Sequence, residues 1–303
     1  MRVEFARAIV EIAQQREDLV FLSGDLGFMA LEEVQACLGS RFINTGVAEQ
    51  NMVSVAAGLA ASGFVPIVYS IAPFATFRPY EQIRTDVCLH NLPVKIVGNG
   101  GGYGYGIMGS THHALEDVAV MRVLPHMRVY TPAFGHDVAK VVEKMLDQPG
   151  PSYLRLGKSV TTHDQSHVTM PWHGFHRASH GASLVVVAMG PVIENIIALL
   201  PELPPNTIDL WSVGEFPICK LPPELLHSIR HTRRIMTIEE HYCSGGLAES
   251  MAFHLVNENN ISFTSLCAKG YESGFYGSQK WHQEENGLAG SQLRDTLRRS
   301  LAG

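Results

Sequence analysis

The sequence predicts an α/β protein of two domains, each a mostly parallel sheet with helices on both faces. Two observations carry this. Short apolar runs bounded by turn residues alternate with helical patterns along the first half, and a second, smaller block repeats that alternation after a break in the pattern at about Val160 to Gly181. The length of 303 residues, 46% of them hydrophobic, suits two cores rather than one. Boundaries of 1–160, 161–181 for a linker and 182–303 follow.

In the first block Leu19–Leu22, Phe42–Asn44, Pro66–Ser70, Val94–Val97, Arg128–Thr131 and Ser152–Arg155 read as buried strands. Helical patterns lie between them over Ala48–Ser62, Arg78–Leu89, His113–Val123 and His136–Leu146. Strands that alternate with helices pair in parallel, because the helix carries the chain back across the sheet. In the second block Leu184–Ala188 is a nearly pure β-branched run, and Pro191 opens the helix Val192–Leu200, where a missing N–H costs nothing. Ile208–Trp211, Ile235–Ile238 and Phe263–Cys267 read as strands, Gly246–Val256 and Gly290–Leu301 as helices.

Composition excludes several functions. The formal net charge of −6 comes without a basic run long enough to hold a nucleic acid. The one basic cluster, Arg230 to Arg234, is expected to cap a helix end, where cations offset the dipole. No apolar run reaches the roughly 20 residues that cross a bilayer, and the amphipathic start MRVEFARAIVEIAQQRED is unlike a signal peptide. Five cysteines, Cys37, Cys88, Cys219, Cys243 and Cys267, with no CxxC, argue against a disulfide framework and for a cytoplasmic protein. His163, His167, His173, His176 and His180 crowd one segment, but the Pro171, Gly174, Ser and Thr around them read as a solvated linker, so no metal site is assigned.

In parallel α/β sheets ligands gather on the loops after the strands' carboxyl ends. The loops Gly24–Met29, Thr45–Gln50, Ile71–Arg78 and Gly98–His113 hold the unusual residues. In NTGVAEQN, Glu49 opens a helix rich in small apolar residues; it is either a capping carboxylate or, packed near the core, a functional one. In YSIAPFATFRPY, Tyr69, Phe74, Phe77 and Tyr80 are individually core candidates and together a platform for a flat ring. GNGGGYGYGIMGSTHH holds seven glycines and ends in His112 and His113, of which one is expected to face the site as a proton carrier. Its glycine spacing does not fit a dinucleotide fingerprint.

These segments together resemble one family. RFINTGVAEQNMVSVAAGLAASGFVPIVYS, RPYEQIRTDVCLHNLPVKIVGNGGGYGYG and GSTHHALEDVAVMRVLPHMRVYTPA closely resemble the pyrimidine-binding domain of transketolases, and TIEEHYCSGGLAESMAFHL resembles that family's C-terminal domain. No GDG…N segment for a metal ion and diphosphate is visible, so the chain resembles the C-terminal subunit of a split transketolase. The resemblance implies thiamine diphosphate as cofactor, its Mg2+ or Ca2+ held by an N-terminal partner subunit, and a dimer of this chain within a heterotetramer.

By resemblance, Glu49 in GVAEQ matches the glutamate that bonds N1′ of the aminopyrimidine. Phe74 and Phe77, with Ile71, match the pocket around that ring, Asp25 and Leu26 lie near the thiazolium, and His112 contacts substrate oxygens. Lys158 aligns with a basic residue near a substrate phosphate, with Arg155 close by. Three positions depart from sugar-phosphate transketolases: Met108 replaces an acidic residue, Gly100 a histidine and Met29 a serine. The implied activity is transfer of a two-carbon ketol or acyl unit from a ketose or 2-oxo acid to an aldehyde. Two alternatives remain: a deoxyxylulose phosphate synthase-like or 2-oxo acid dehydrogenase β-like subunit, and a non-catalytic scaffold. Intact Glu49 and His112 speak against the scaffold.

Overall fold

The computed structural model describes residues 1–27, 29–159 and 174–302. Strands β1 (Leu19–Ser23), β2 (Phe42–Asn44), β3 (Val65–Ile71), β4 (Lys95–Asn99), β5 (Arg128–Tyr130) and β6 (Ser152–Leu156) pair in parallel in the order β5-β6-β4-β3-β1-β2. The second sheet, in the order β12-β11-β8-β9-β7, consists of β7 (Phe175–Ser179), β8 (Leu184–Met189), β9 (Ile208–Val213), β11 (Arg234–Glu239) and β12 (Ser262–Cys267). All its pairs are parallel except β7 with β9.

Between β9 and β11 the two-residue strand β10 (Glu215–Phe216) leaves the second sheet and adds antiparallel to β5 of the first. It escapes sequence reading because two residues carry no period. Phe175–Ser179, within the expected linker, is an edge strand, and its half-buried FHRAS has no apolar alternation to announce it. The linker reading of His163, His167 and His173 falls outside the described residues.

Helices cover both faces of the first sheet. α1 (Arg2–Ala13), α2 (Glu32–Leu38) and α7 (Val138–Asp147) enclose one core with Phe21, Ile67, Val97 and Leu154. α7 shows why: Val138, Val141, Val142, Met145 and Leu146 are buried at helical spacing. On the other face lie α3 (Glu49–Ala61), α4 (Ala72–Thr76), α5 (Tyr80–Gln82), a π-turn over Ile83–Cys88, and α6 (Asp117–Arg122). Their core runs on without a break into the second sheet, through Val185 and Val187, α9 (Pro223–Thr232) and α10 (Leu247–Leu255). The far face of that sheet packs on α8 (Ile193–Leu199) and α12 (Gly290–Ala302), and α11 (Gln279–Glu285) lies against the glycine-rich loop.

Arg230 and His231 stand in the last turn of α9, as the basic cluster foretold. The expected helix over His113–Val123 begins only at Asp117, because Ala114 is tied to Gly102 in an isolated β-bridge. The reading of the cysteines needs correction. Cys243, in the turn after β11, and Cys267, at the end of β12, form a disulfide. Parallel pairing of β11 with β12 brings together residues 24 apart in sequence, a proximity that no cysteine count reveals. No helix among the described residues is long and apolar enough to cross a membrane.

Candidate active site

Strands β1, β2 and β3 end side by side, and Glu49, just after β2, meets residues from the end of β3 and the turn beyond it. That residue is the first of α3 and is 4% exposed. Its Oε1 accepts a hydrogen bond from Arg78 Nη1 at 2.8 Å and a longer one from Ser70 Oγ at 3.4 Å. The N-cap position is Ala48, which makes no side-chain bond to the helix. Among the described residues the Glu49 carboxylate bonds to the side chains of Arg78 and Ser70, at a helix start whose dipole favours a negative charge.

The aromatic platform reduces to one ring. Tyr69 is core, stacked on Phe5, and Tyr80 bonds its hydroxyl to Val120 O. Phe77 follows α4 and is 38% exposed, while Ile71, the last residue of β3, is buried. Phe74 faces the site. The Arg78 guanidinium lies 3.7 Å from its ring centre, and the His112 ring meets it edge-on at 5.1 Å. Glu49, Phe74, Arg78 and His112 are thus brought together from separate stretches of chain.

His112 and His113 divide as their two environments require. Thr111 Oγ1 sits 2.9 Å from His112 Nδ1, and the Tyr105 ring lies 5.8 Å from the His112 ring, tilted against it. His113 is buried: Nε2 meets Gly106 O and Nδ1 meets Tyr271 Oη, each at 2.8 Å. Burial pulls its pKa down to about 4, so it is a neutral strut between the glycine loop and the second domain.

Asp25 and Leu26 lie on the loop after β1. Asp25, at φ 59°, accepts from Asn44 Nδ2 at 2.9 Å, and the Ser23 hydroxyl donates to Leu26 O at 2.7 Å. Met29 and Met108 are exposed, at 77% and 54%. Lys158 is exposed beyond β6.

Two substrate-site expectations meet obstacles. Arg155 is buried, with Nε at 2.8 Å and 3.1 Å from the two oxygens of Asp117 and Nη2 donating to Ala114 O and Glu240 O. A guanidinium enclosed in this way ties the two domains together and, at 4% exposed, offers little surface to a phosphate. Gly100 does not leave an open space: with φ +78°, any Cβ there would run into the Tyr105 ring. Tyr105, its hydroxyl accepting from Asn99 Nδ2 at 2.9 Å, fills that volume.

Sequence reasoning therefore missed Arg78, Ser70 and Tyr105. The only signal for Arg78 was its place directly after the aromatic run. Among the described residues no group of three or more His, Cys, Asp and Glu is placed to hold a metal ion.

The arrangement defines a class: a two-domain α/β chain with a buried helix-start glutamate beside an aromatic ring at the carboxyl end of a parallel sheet. Residues 1–163 match the pyrimidine-binding domain of transketolases, and the chain belongs to the transketolase family. It is 30% identical over 261 residues to one subunit of the apulose-4-phosphate transketolase of Actinobacillus succinogenes, covering 84% of this chain and 83% of that protein. It is also 30% identical to a putative transketolase C-terminal section of Methanocaldococcus jannaschii, covering 83% of this chain and 80% of that one. The 1-deoxy-D-xylulose-5-phosphate synthase of Pelotomaculum thermopropionicum matches at 30% too, but over only 39% of its own length.

Among solved structures, a split-gene transketolase, in an inactive β4 tetramer, superposes with a TM-score of 0.82 at 28% identity, covering 99% of this chain and 98% of that one. The chain is the C-terminal subunit type of a split transketolase, from a family that depends on thiamine diphosphate.

Proposed function

We propose that this chain supplies the pyrimidine half of a thiamine diphosphate site. With an N-terminal diphosphate-binding subunit, it transfers a two-carbon ketol or acyl unit from a ketose or 2-oxo acid donor to an aldehyde acceptor. The observation that carries this is the site between Glu49 and Phe74. A buried carboxylate needs a hydrogen-bond donor, and a planar nitrogen group lying over the ring is what it meets there. The donor set thus fits an aminopyrimidine, a flat ring with a nitrogen that can share a proton.

When bound, thiamine diphosphate supplies an acidic thiazolium carbon and an electron sink for the carbon–carbon bond broken and remade. Glu49 holds a proton at pyrimidine N1′. Phe74, with Ile71 and Phe77, would pack the ring, and Asp25 and Leu26 would lie towards the thiazolium. His112, its Nδ1 engaged by Thr111, turns Nε2 towards a substrate oxygen as proton donor or acceptor. Met29 and Met108 line the substrate path, Gly100 adds no room to it because Tyr105 fills the space beside it, and Lys158 meets an anionic group at the far end of the substrate. Relatives are named for apulose 4-phosphate and for 6-deoxy-6-sulfo-D-fructose, both sugars with an anionic group, in keeping with a cation there. Arg155 keeps no substrate role in this reading.

The partner subunit would hold the diphosphate through Mg2+ or Ca2+, and two copies of each subunit would form a heterotetramer in the cytoplasm. Calorimetry with thiamine diphosphate and Mg2+ tests the division of labour. Tight binding is expected only for the co-purified pair; equally tight binding by the isolated chain would refute it.

A further inference from the structure

The Arg78 guanidinium carbon lies over the Phe74 ring, 3.7 Å from its centre, while Nη1 donates to Glu49 Oε1 at 2.8 Å. Those two contacts are the ones the aminopyrimidine would make in the reading above. A flat ring on the same face of Phe74, bonded to the same oxygen, would need the volume the guanidinium fills. We propose that Arg78 is a stand-in for the pyrimidine: it plugs this subunit's half of the site and must be displaced for the cofactor to seat. The inference rests on the pyrimidine-site reading of Glu49.

The need for a plug follows from burial. Glu49 is 4% exposed, and a buried carboxylate without a donor is costly. Something must donate to it before the cofactor arrives. Ser70 Oγ, at 3.4 Å, is too distant to serve alone. Arginine suits the task because its planar fork stacks on an aromatic face as well as pairing with a carboxylate. A lysine would give a point charge without the stacked plane.

The exit is built in as well. Arg78 is 43% exposed and stands in the short turn between α4 and α5, so its side chain can swing into water, where its charge is solvated. The plug can thus satisfy Glu49 and still yield, since the displaced guanidinium is rehydrated and the incoming ring takes over as the donor that the buried carboxylate needs.

The test is calorimetric titration of the co-purified complex with thiamine diphosphate and Mg2+, for wild type, Arg78→Ala and Arg78→Gln. Thermal melting of the cofactor-free chain accompanies it. Removing the competitor should tighten cofactor binding about two- to tenfold in Arg78→Ala, the scale of one cation–π contact at a half-exposed arginine. The cofactor-free melting temperature should meanwhile fall, as Glu49 loses its donor. Arg78→Gln keeps a donor on a side chain of intermediate length, and should fall between the two in both readouts. Unchanged or weaker cofactor binding in both variants, with wild type binding normally, would overturn the plug alone. Absence of binding in the wild type and both variants would overturn the pyrimidine-site reading and the plug with it.

Discussion

Replacing Arg155 by methionine separates two accounts of that residue. As a substrate-phosphate contact, Arg155 would be dispensable for folding, and its loss would raise KM. The structure gives it another role. Its guanidinium makes two bonds to Asp117, at 2.8 Å and 3.1 Å, and one each to the carbonyls of Ala114 and Glu240, at 2.9 Å and 3.0 Å. Asp117 has no exposed surface, and without Arg155 its carboxylate would keep, among the described residues, the Tyr153 hydroxyl, at 2.7 Å, as its side-chain donor. Removing one partner of a buried pair leaves the other charge uncompensated, at a cost of about 3–5 kcal/mol. For a domain of this size each kcal/mol moves the melting temperature by roughly 2–4 °C, so a fall of about 10 °C is expected. Urea unfolding of the purified chain, followed by circular dichroism, measures the loss of stability directly. The effect on catalysis should appear as lost kcat, because Ala114 ends the loop that carries His112. A variant as stable as wild type, with only KM raised, would refute the assignment.

Glu49→Gln should keep the fold and slow turnover of the reconstituted enzyme by roughly 100- to 10,000-fold, the range of general acid–base catalysis; near wild-type turnover would remove Glu49 from the chemistry. Gly100→His should fail to confer activity on xylulose 5-phosphate, even with Met108→Asp, because a side chain there meets the Tyr105 ring; a gain in kcat/KM would show that Tyr105 yields. Lys95 is buried in β4 with Nζ bonded to Gln148 O and Gly150 O, and burial pulls its pKa down to about 7. Between about 7 and its ordinary value of 10.5 the unfolded chain holds more protons than the folded one, so this group makes stability rise with pH across that window. Lys95→Met should flatten that slope in urea titrations across the same window, and an unchanged slope would contradict the shift.

The sequence by itself determined the fold class, the family and most strands, because parallel strands buried on both faces must be apolar runs and crossover helices must alternate with them. It placed Glu49, Phe74 and His112 on loops at the carboxyl ends of strands, where motif and topology agree. Only tertiary structure decided how those loops meet. His112 and His113 are identical in type and adjacent, yet one faces Phe74 and the other is a neutral strut under Tyr271. Arg155 and Lys158 stand close together in sequence, yet one is enclosed and the other exposed. Arg78 finds Glu49 across 29 residues and Cys243 finds Cys267 across 24, distances over which no periodicity reaches. A linear pattern records which face of an element is buried. Which charges share a burial site depends on the order of strands in the sheet, and that order exists only once the chain has folded.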